Sequence, residues 1–288
     1  MNVAAPERTL VNGAEAAGVS VLERGLHYGD GLFETLGCVA GRPRFLSLHL
    51  QRLARGCARL KLPAPDLAVI GRELAALAAG ADRSVLKLIV TRGPAEARGY
   101  APSFTEQPTR ITLRYAWPQP VEEPQRARVR IGAIALAENP LLAGIKHLNR
   151  LEQVLARAEW SDPAIAEALL FSRSGTLVSG TMSNVFLVHG DTLMTPQLGL
   201  CGVEGVMRQV VLQVAAASMI RTEERVLGRV DLAAAEEIFL TNALMGIRSV
   251  GQLEGRTLGP APVTRRLQTA LAPLLAAGDL GPVPAGAA

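Results

Sequence analysis

The chain has 288 residues, 49% hydrophobic and 19% charged, which is long enough for one large domain or two ordinary ones and too apolar for wholesale disorder. Thirty basic and 26 acidic side chains leave a formal charge of +4, spread too evenly for a nucleic-acid-binding or polybasic membrane protein. No apolar run reaches the roughly 18 residues of a membrane span, and Met1 to Arg8 lack the basic-then-apolar order of a secretory signal.

In chain order, Thr9-Leu10-Val11-Asn12-Gly13 predicts a short strand and turn, and Gly31 to Leu36 predicts a strand closed by a turn at Ala40-Gly41-Arg42-Pro43. Leu50, Leu53, Cys57 and Leu60 recur at helical spacing, with Ser47 as the expected cap. A second helix is expected after Asp66, with Val69, Ile70, Leu74 and Leu77 on one face. Strands are expected at Leu86 to Thr91 and Ile111 to Tyr115. The stretch Trp117 to Pro124 holds three prolines and two acids and reads as a linker. The expected organisation is therefore a smaller N-terminal domain at 1–116, a linker at 117–124, a larger domain at 125–278 and a frayed tail at 279–288.

Beyond the linker, Val129 and Ile131 alternate with Arg128 and Arg130 as in a strand, and Leu151, Val154, Leu155 and Ala158 form a helical stripe. Ala168 to Phe171, Val185 to Val188 and Ile238 to Thr241 are apolar runs of buried-strand type, while Gly205 to Met219 and Val263 to Ala276 look helical. No period of 20 to 50 residues repeats. Strands mixed with helices without strict alternation predict an α+β fold. Cys38, Cys57 and Cys201 have no paired spacing, which argues against a disulfide scaffold or zinc site and fits a reducing cytoplasm. Four histidines without a His-x-x-x-His pair argue against a histidine metal site.

Chemistry can sit in several places. Lys146 follows a Gly-Ile step and precedes an amphipathic helix; a half-buried lysine there suits Schiff-base chemistry, while the commoner role of a lysine is a solvated surface charge, so on chemistry alone Lys146 is a candidate. Gly202-Val203-Glu204-Gly205-Val206 opens a helix whose N–H groups can approach an anion, or is an ordinary junction. Thr241-Asn242 ends a strand with a hydroxyl and further donors. Arg52 lies partly off its helix's apolar stripe, free to turn toward an anion or to a surface salt bridge. Arg92, Arg98 and Tyr100 near glycines can bind carboxylates or form a solvated loop.

The order of these motifs is more specific than any one of them. Gly29-Asp30-Gly31-Leu32-Phe33-Glu34-Thr35, His49-Leu50-Gln51-Arg52-Leu53, Arg98-Gly99-Tyr100, Gly144 to Ala156, Ser183-Asn184-Val185-Phe186, Gly202 to Gln209 and Thr241 to Met245 follow one another. From about residue 10 to about residue 250 this series resembles the fold-type IV pyridoxal-phosphate enzymes. Within them it is most similar to the lyase branch, because branched-chain and D-amino-acid transaminases usually differ at Arg150 and Glu152.

The resemblance implies two α/β domains of D-amino-acid transaminase type, pyridoxal 5'-phosphate at their interface, and a homodimer. It implies that Lys146 holds the cofactor and moves protons, that Arg52 binds the phosphate, and that Gly205, Val206, Thr241 and Asn242 complete the phosphate site. Arg98 and Tyr100 match a loop that reaches a substrate carboxylate in the neighbouring subunit; His27, Phe33, Thr35 and Arg150 lie in motif positions that line the site. The implied reaction turns 4-amino-4-deoxychorismate into 4-aminobenzoate and pyruvate, with amino transfer as the alternative. One position departs from the pattern. Many relatives carry a glutamate five residues before the Asn of Asn184-Val185-Phe186, pairing with the cofactor's pyridine nitrogen; here that position is Ser179, which offers only a neutral hydrogen bond.

Overall fold

A computed structural model describes residues 5–95, 97–103, 106–117 and 126–280. The expected linker at 117–124, apart from Trp117, and the tail from 281 onward lie outside the described residues. The chain divides into two compact units, one made of 1–119, 145–149 and 274–288, the other of 120–144 and 150–273.

The first unit holds β1 (Arg8–Val11), β2 (Ala14–Glu15), α1 (Arg24–Tyr28), β3 (Gly31–Val39), β4 (Arg42–Pro43), α2 (Leu46–Leu60), α3 (Leu67–Ala78), β5 (Arg83–Thr91) and β6 (Thr109–Ala116). Its sheet runs β2-β1-β6-β5-β3-β4, with every neighbouring pair antiparallel. Alternation along β3 buries Leu32, Glu34 and Leu36 and leaves Phe33 and Thr35 half-buried, so the strand presents two chemically different faces. The helix α3 starts after Asp66 as expected, and Asp66 is its cap, Oδ1 accepting from Ala68 N at 2.8 Å and Val69 N at 3.0 Å.

Two expectations for α2 change. Its N-cap is Phe45, in the left-handed region at φ 50°, and Ser47 lies inside the first turn without a side-chain capping bond. Its buried stripe is Leu48, His49, Arg52, Leu53, Gly56 and Cys57, rotated from the expected Leu50/Leu53/Cys57/Leu60 line. Arg52 is therefore interior, 6% exposed, and not a surface arginine. The physical reason is a charge partner supplied by the sheet, described below.

The second unit holds β7 (Ala127–Leu136), α4 (Leu151–Arg157), β8 (Ile165–Ser172), β9 (Leu177–Gly180), β10 (Asn184–His189), β11 (Thr192–Pro196), α5 (Val206–Ala217), β12 (Arg221–Arg225), α6 (Arg229–Ala234), β13 (Glu237–Asn242), β14 (Gly246–Leu253), β15 (Arg256–Thr257) and α7 (Pro262–Ala277), of which α7 belongs here as far as Pro273. Its nine-stranded sheet runs β12-β11-β10-β13-β14-β7-β8-β9, with β15 on β14, and mixes parallel with antiparallel pairs. Leu169, Phe171, Val185, Leu187, Ile238, Leu240 and Val250 share one core, and Phe186 stacks on its ladder partner Phe239 at 4.8 Å. The helical stripe expected at 151–158 forms, but Leu151, Val154 and Leu155 are exposed and only Ala156 of the helix is buried. The fold is α+β.

Candidate active site

Lys146 belongs to a short extended segment lying along β3. Phe33 N donates to Lys146 O and Leu148 N donates to Gly31 O, both at 3.0 Å, with a bridge pairing Leu32 and His147. The glycines of Gly29-Asp30-Gly31 explain why the segment fits. A Cβ on Gly31 would meet Val90 O at 2.5 Å and Leu148 at 2.9 Å; one on Gly29, at φ +64°, would meet Asn149 Oδ1 at 2.6 Å. Asn149 Nδ2 donates to Gly29 O at 3.2 Å. The segment places Lys146 Nζ 4.3 Å from the centroid of the Phe33 ring, with its charge over the π face.

On the opposite face of β3 Glu34 meets α2. His49 Nδ1 lies 2.6 Å from Glu34 Oε2, Arg52 Nε donates to Oε1 at 2.9 Å, and Arg52 Nη2 also donates to Oε2. Glu34 and His49 are each 1% exposed. Burial pushes the Glu34 carboxyl up, but the Arg52 charge and the bonds from His49 and Arg52 outweigh it and hold the pKa at about 2. The His49 pKa is lowered as well: burial disfavours its charged form, against the pull of Glu34 and aided by the charges of Arg52 and Lys146. A neutral imidazole therefore donates from Nδ1, and its buried Nε2 has no hydrogen-bond partner among the described residues. An unpaired buried carboxylate costs several kcal/mol, so this bonding pattern is what permits Glu34 inside a strand at all.

The remaining candidates of the first unit sit on or near its loops. His27 is exposed, with Nε2 2.8 Å from Val21 O. Thr35 is half-buried on β3 beside its ladder partner Lys87. Arg98 and Tyr100 are exposed, and the Tyr100 ring lies 5.3 Å from that of Tyr28.

In the second unit three segments converge. Asn184 pairs with Thr241 across the β10–β13 ladder, and its Nδ2 donates to Val203 O at 2.9 Å. Gly205 is the N-cap of α5, which has no side-chain cap, so the first-turn N–H groups at Val206 and beyond are not covered by a side chain. A Cβ on Gly205 would stand 2.0 Å from Asn184 Oδ1; close approach, not backbone conformation, demands glycine here. Thr241 Oγ1 donates to Gly246 O at 2.7 Å, and Asn242 Oδ1 accepts from Leu244 N at 3.0 Å and Met245 N at 2.9 Å, so both residues shape the 242–246 turn.

Ser179, 8% exposed on β9, donates its hydroxyl to Gly180 O at 2.8 Å. Arg150 is the N-cap of α4. Among the described residues no group of three or more His, Cys, Asp or Glu can hold a metal ion, and no helix is long and apolar enough to cross a membrane.

In the first unit Lys146, Phe33 and Thr35 thus lie on one face of β3 and Arg52, bonded to Glu34, on the other; in the second, Gly205, Val206, Thr241 and Asn242 lie where α5 begins and β13 ends, and Ser179 lies on β9. Sequence reasoning assigned no role to Glu34 or Glu167. Glu167, 3% exposed, accepts from Thr181 N at 2.9 Å, Met182 N at 3.2 Å, Ser183 Oγ at 2.9 Å and the Thr181 hydroxyl, and so shapes the loop after Ser179. The signal for both was present: each is a lone carboxylate in an apolar strand, Leu32-Phe33-Glu34-Thr35-Leu36 and Ile165-Ala166-Glu167-Ala168-Leu169, where only a bonded carboxylate is tolerated.

Residues 31–253 match the amino-transferase class IV family, and the chain belongs to it. It is 33% identical to the aminodeoxychorismate lyase of Vibrio harveyi over 90% of this chain and 97% of that protein. It is 30% identical to a putative branched-chain-amino-acid aminotransferase of Methanocaldococcus jannaschii over 84% and 85%. The crystal structure of 4-amino-4-deoxychorismate lyase from Pseudomonas aeruginosa superposes with a TM-score of 0.89 at 46% identity, covering 93% of this chain and 99% of that one. The branched-chain amino acid aminotransferase of Escherichia coli shares the fold, with a TM-score of 0.84 at 21% identity.

Proposed function

We propose that this chain is a pyridoxal-phosphate-dependent lyase that converts 4-amino-4-deoxychorismate to 4-aminobenzoate and pyruvate, a step of folate biosynthesis. The observation that carries the reading is the 46% identity to the Pseudomonas lyase over nearly the whole length of both chains, against 21% to a transaminase of the same fold.

The residues present fit the cofactor. The uncapped start of α5, kept open by Gly205, is a cradle for a phosphate. Val206, Thr241 and Asn242 belong to that cradle; the family resemblance assigns the phosphate-binding guanidinium to Arg52 and the holding of the group to Lys146. When bound, pyridoxal phosphate supplies an electron sink. Lys146 Nζ acts as general base and acid: it takes the proton lost from the substrate ring and returns one as enolpyruvate departs. The two products together hold all the atoms of the substrate, so no water or oxidant is consumed, and the ring becomes aromatic. Aromatisation drives the step, which is why a serine at position 179 in place of a carboxylate is tolerated. Arg98 and Tyr100 bind a substrate carboxylate, and His27, Thr35 and Arg150 contribute to the substrate site.

We place the enzyme in the cytoplasm as a homodimer. In support, Cys38 and Cys57 are buried free thiols, and Leu151, Val154 and Leu155 form an exposed apolar face on α4 that a second copy would cover. Purified protein given pyridoxal phosphate and enzymatically generated substrate, beside a Lys146→Ala control, tests the reading. Equimolar 4-aminobenzoate and pyruvate, lost in the variant, is the expected result. No aromatic product, but amino transfer to 2-oxoglutarate, moves the protein to the transaminases.

A further inference from the structure

Arg24 is buried, 4% exposed, in the short helix before β3, far in sequence from the 98–100 loop. Its guanidinium nevertheless grips that loop: Nη1 donates to Gly99 O at 3.2 Å and Nη2 to Tyr100 O at 2.8 Å. Two successive carbonyls are thus held by one planar fork, which a lysine ammonium does not reproduce. The plane of the fork is set from behind. Nε donates to Asp30 Oδ2 at 2.9 Å, and the guanidinium carbon lies 5.0 Å from the Tyr28 ring, which in turn contacts Tyr100.

Asp30 does not serve Arg24 alone. Arg92, 5% exposed, donates to Asp30 Oδ2 from Nε at 2.8 Å and to Oδ1 from Nη2 at 3.3 Å. The same guanidinium reaches Lys61 O at 2.8 Å and Leu60 O at 3.0 Å, closing the C-terminal end of α2, the helix of His49 and Arg52. One carboxylate therefore ties the 98–100 loop to the end of the Arg52 helix, and two arginines on one aspartate leave the cluster a net positive charge. Meanwhile the Arg98 side chain is exposed and has no partner among the described residues, so the loop's backbone is fixed while its cationic side chain is left to a ligand.

We propose that Arg24, braced by Asp30, is a positioning residue that sets the affinity for the substrate's carboxylate by holding the Arg98–Tyr100 loop. The inference rests on the substrate role given above to Arg98 and Tyr100. In holoenzyme, Arg24→Lys keeps the charge beside Asp30 but loses the fork, and Arg24→Met loses both. The expected result is a KM for aminodeoxychorismate raised about tenfold in Arg24→Met and less in Arg24→Lys, with kcat within about threefold and pyridoxal-phosphate affinity unchanged. Backbone amides at 98–100 should exchange with deuterium faster in both variants. In an Arg98→Ala background, Arg24→Met should add almost nothing to KM, because the two act through one contact. A merely structural arginine predicts a lowered unfolding midpoint with additive KM effects. Additivity with Arg98→Ala, an unchanged KM, or unchanged exchange at 98–100 overturns the proposal. Should the wild type be inert with aminodeoxychorismate, the reading of its function falls, and the exchange comparison alone then decides whether Arg24 holds the loop.

Discussion

Arg52 Nε donates to Glu34 Oε1 at 2.9 Å in an interior where neither residue is more than 6% exposed. The arginine proposed to meet a phosphate is thus already oriented by a carboxylate, which fixes its plane before any ligand arrives. Glu34→Gln keeps the shape but leaves a buried guanidinium without its counter-charge. Breaking such a pair costs about 3–5 kcal/mol. The variant should unfold at markedly lower denaturant, and an unchanged midpoint would mean the pair contributes nothing.

Acid should weaken the fold in two stages. His49 has a folded pKa below its ordinary 6.5 and Glu34 is held at about 2 against an ordinary 4.5. In both cases the unfolded chain binds more protons than the folded one as pH falls, so stability drops with acidification. The His49 contribution is complete above about pH 6.5 and fades below it; that of Glu34 is complete above about pH 4.5 and is lost toward pH 2. Thermal midpoints measured from pH 8 to pH 3 should fall from pH 6.5 downward, and His49→Gln should remove the upper limb only. A wild-type profile flat between pH 7 and pH 5 contradicts the assignment of a suppressed imidazole.

Gly205→Ala is the smallest change that should disturb the cofactor cradle. Its Cβ would lie 2.0 Å from Asn184 Oδ1, forcing Asn184 away from Val203 O. Backbone strain is not the cause, since φ at Gly205 is −65°. Pyridoxal-phosphate affinity, followed by absorbance titration, should fall by about tenfold or more, comparable to losing a charge-assisted hydrogen bond. Retention of wild-type affinity would remove α5 from the phosphate site.

Ser179→Glu tests why this chain lacks a carboxylate at that position. Amino transfer has no aromatic product to drive it, so it depends more on the electron sink. The substitution should raise side transamination more than lyase turnover, measured on the same preparation. Equal increases would show that Ser179 does not bias the choice of reaction.

Much of the fold was legible because its signals are local. The start of α3 after Asp66 reads from the spacing of Val69, Ile70, Leu74 and Leu77, and the strands around Leu86 and Ile238 read from β-branched apolar runs. The order of the glycine, arginine and lysine motifs was likewise enough to place the chain in its family. What the sequence by itself could not settle were relations between distant segments. Hydrophobicity alone draws the stripe of α2 through Leu50 and Leu60; the sheet brings Glu34 against His49 and Arg52, and a bonded carboxylate makes burying those polar residues favourable. The apolar stripe of α4 was visible, but its exposure was not, because periodicity reports a face and not what covers it. Arg24 and Tyr100 are 76 positions apart, and only the turn of the chain at Gly29 to Gly31 and the β3–β5 ladder bring them within 2.8 Å. Composition and periodicity determine which segments can form; pairing of buried charges across those segments is decided only when the chain is closed on itself.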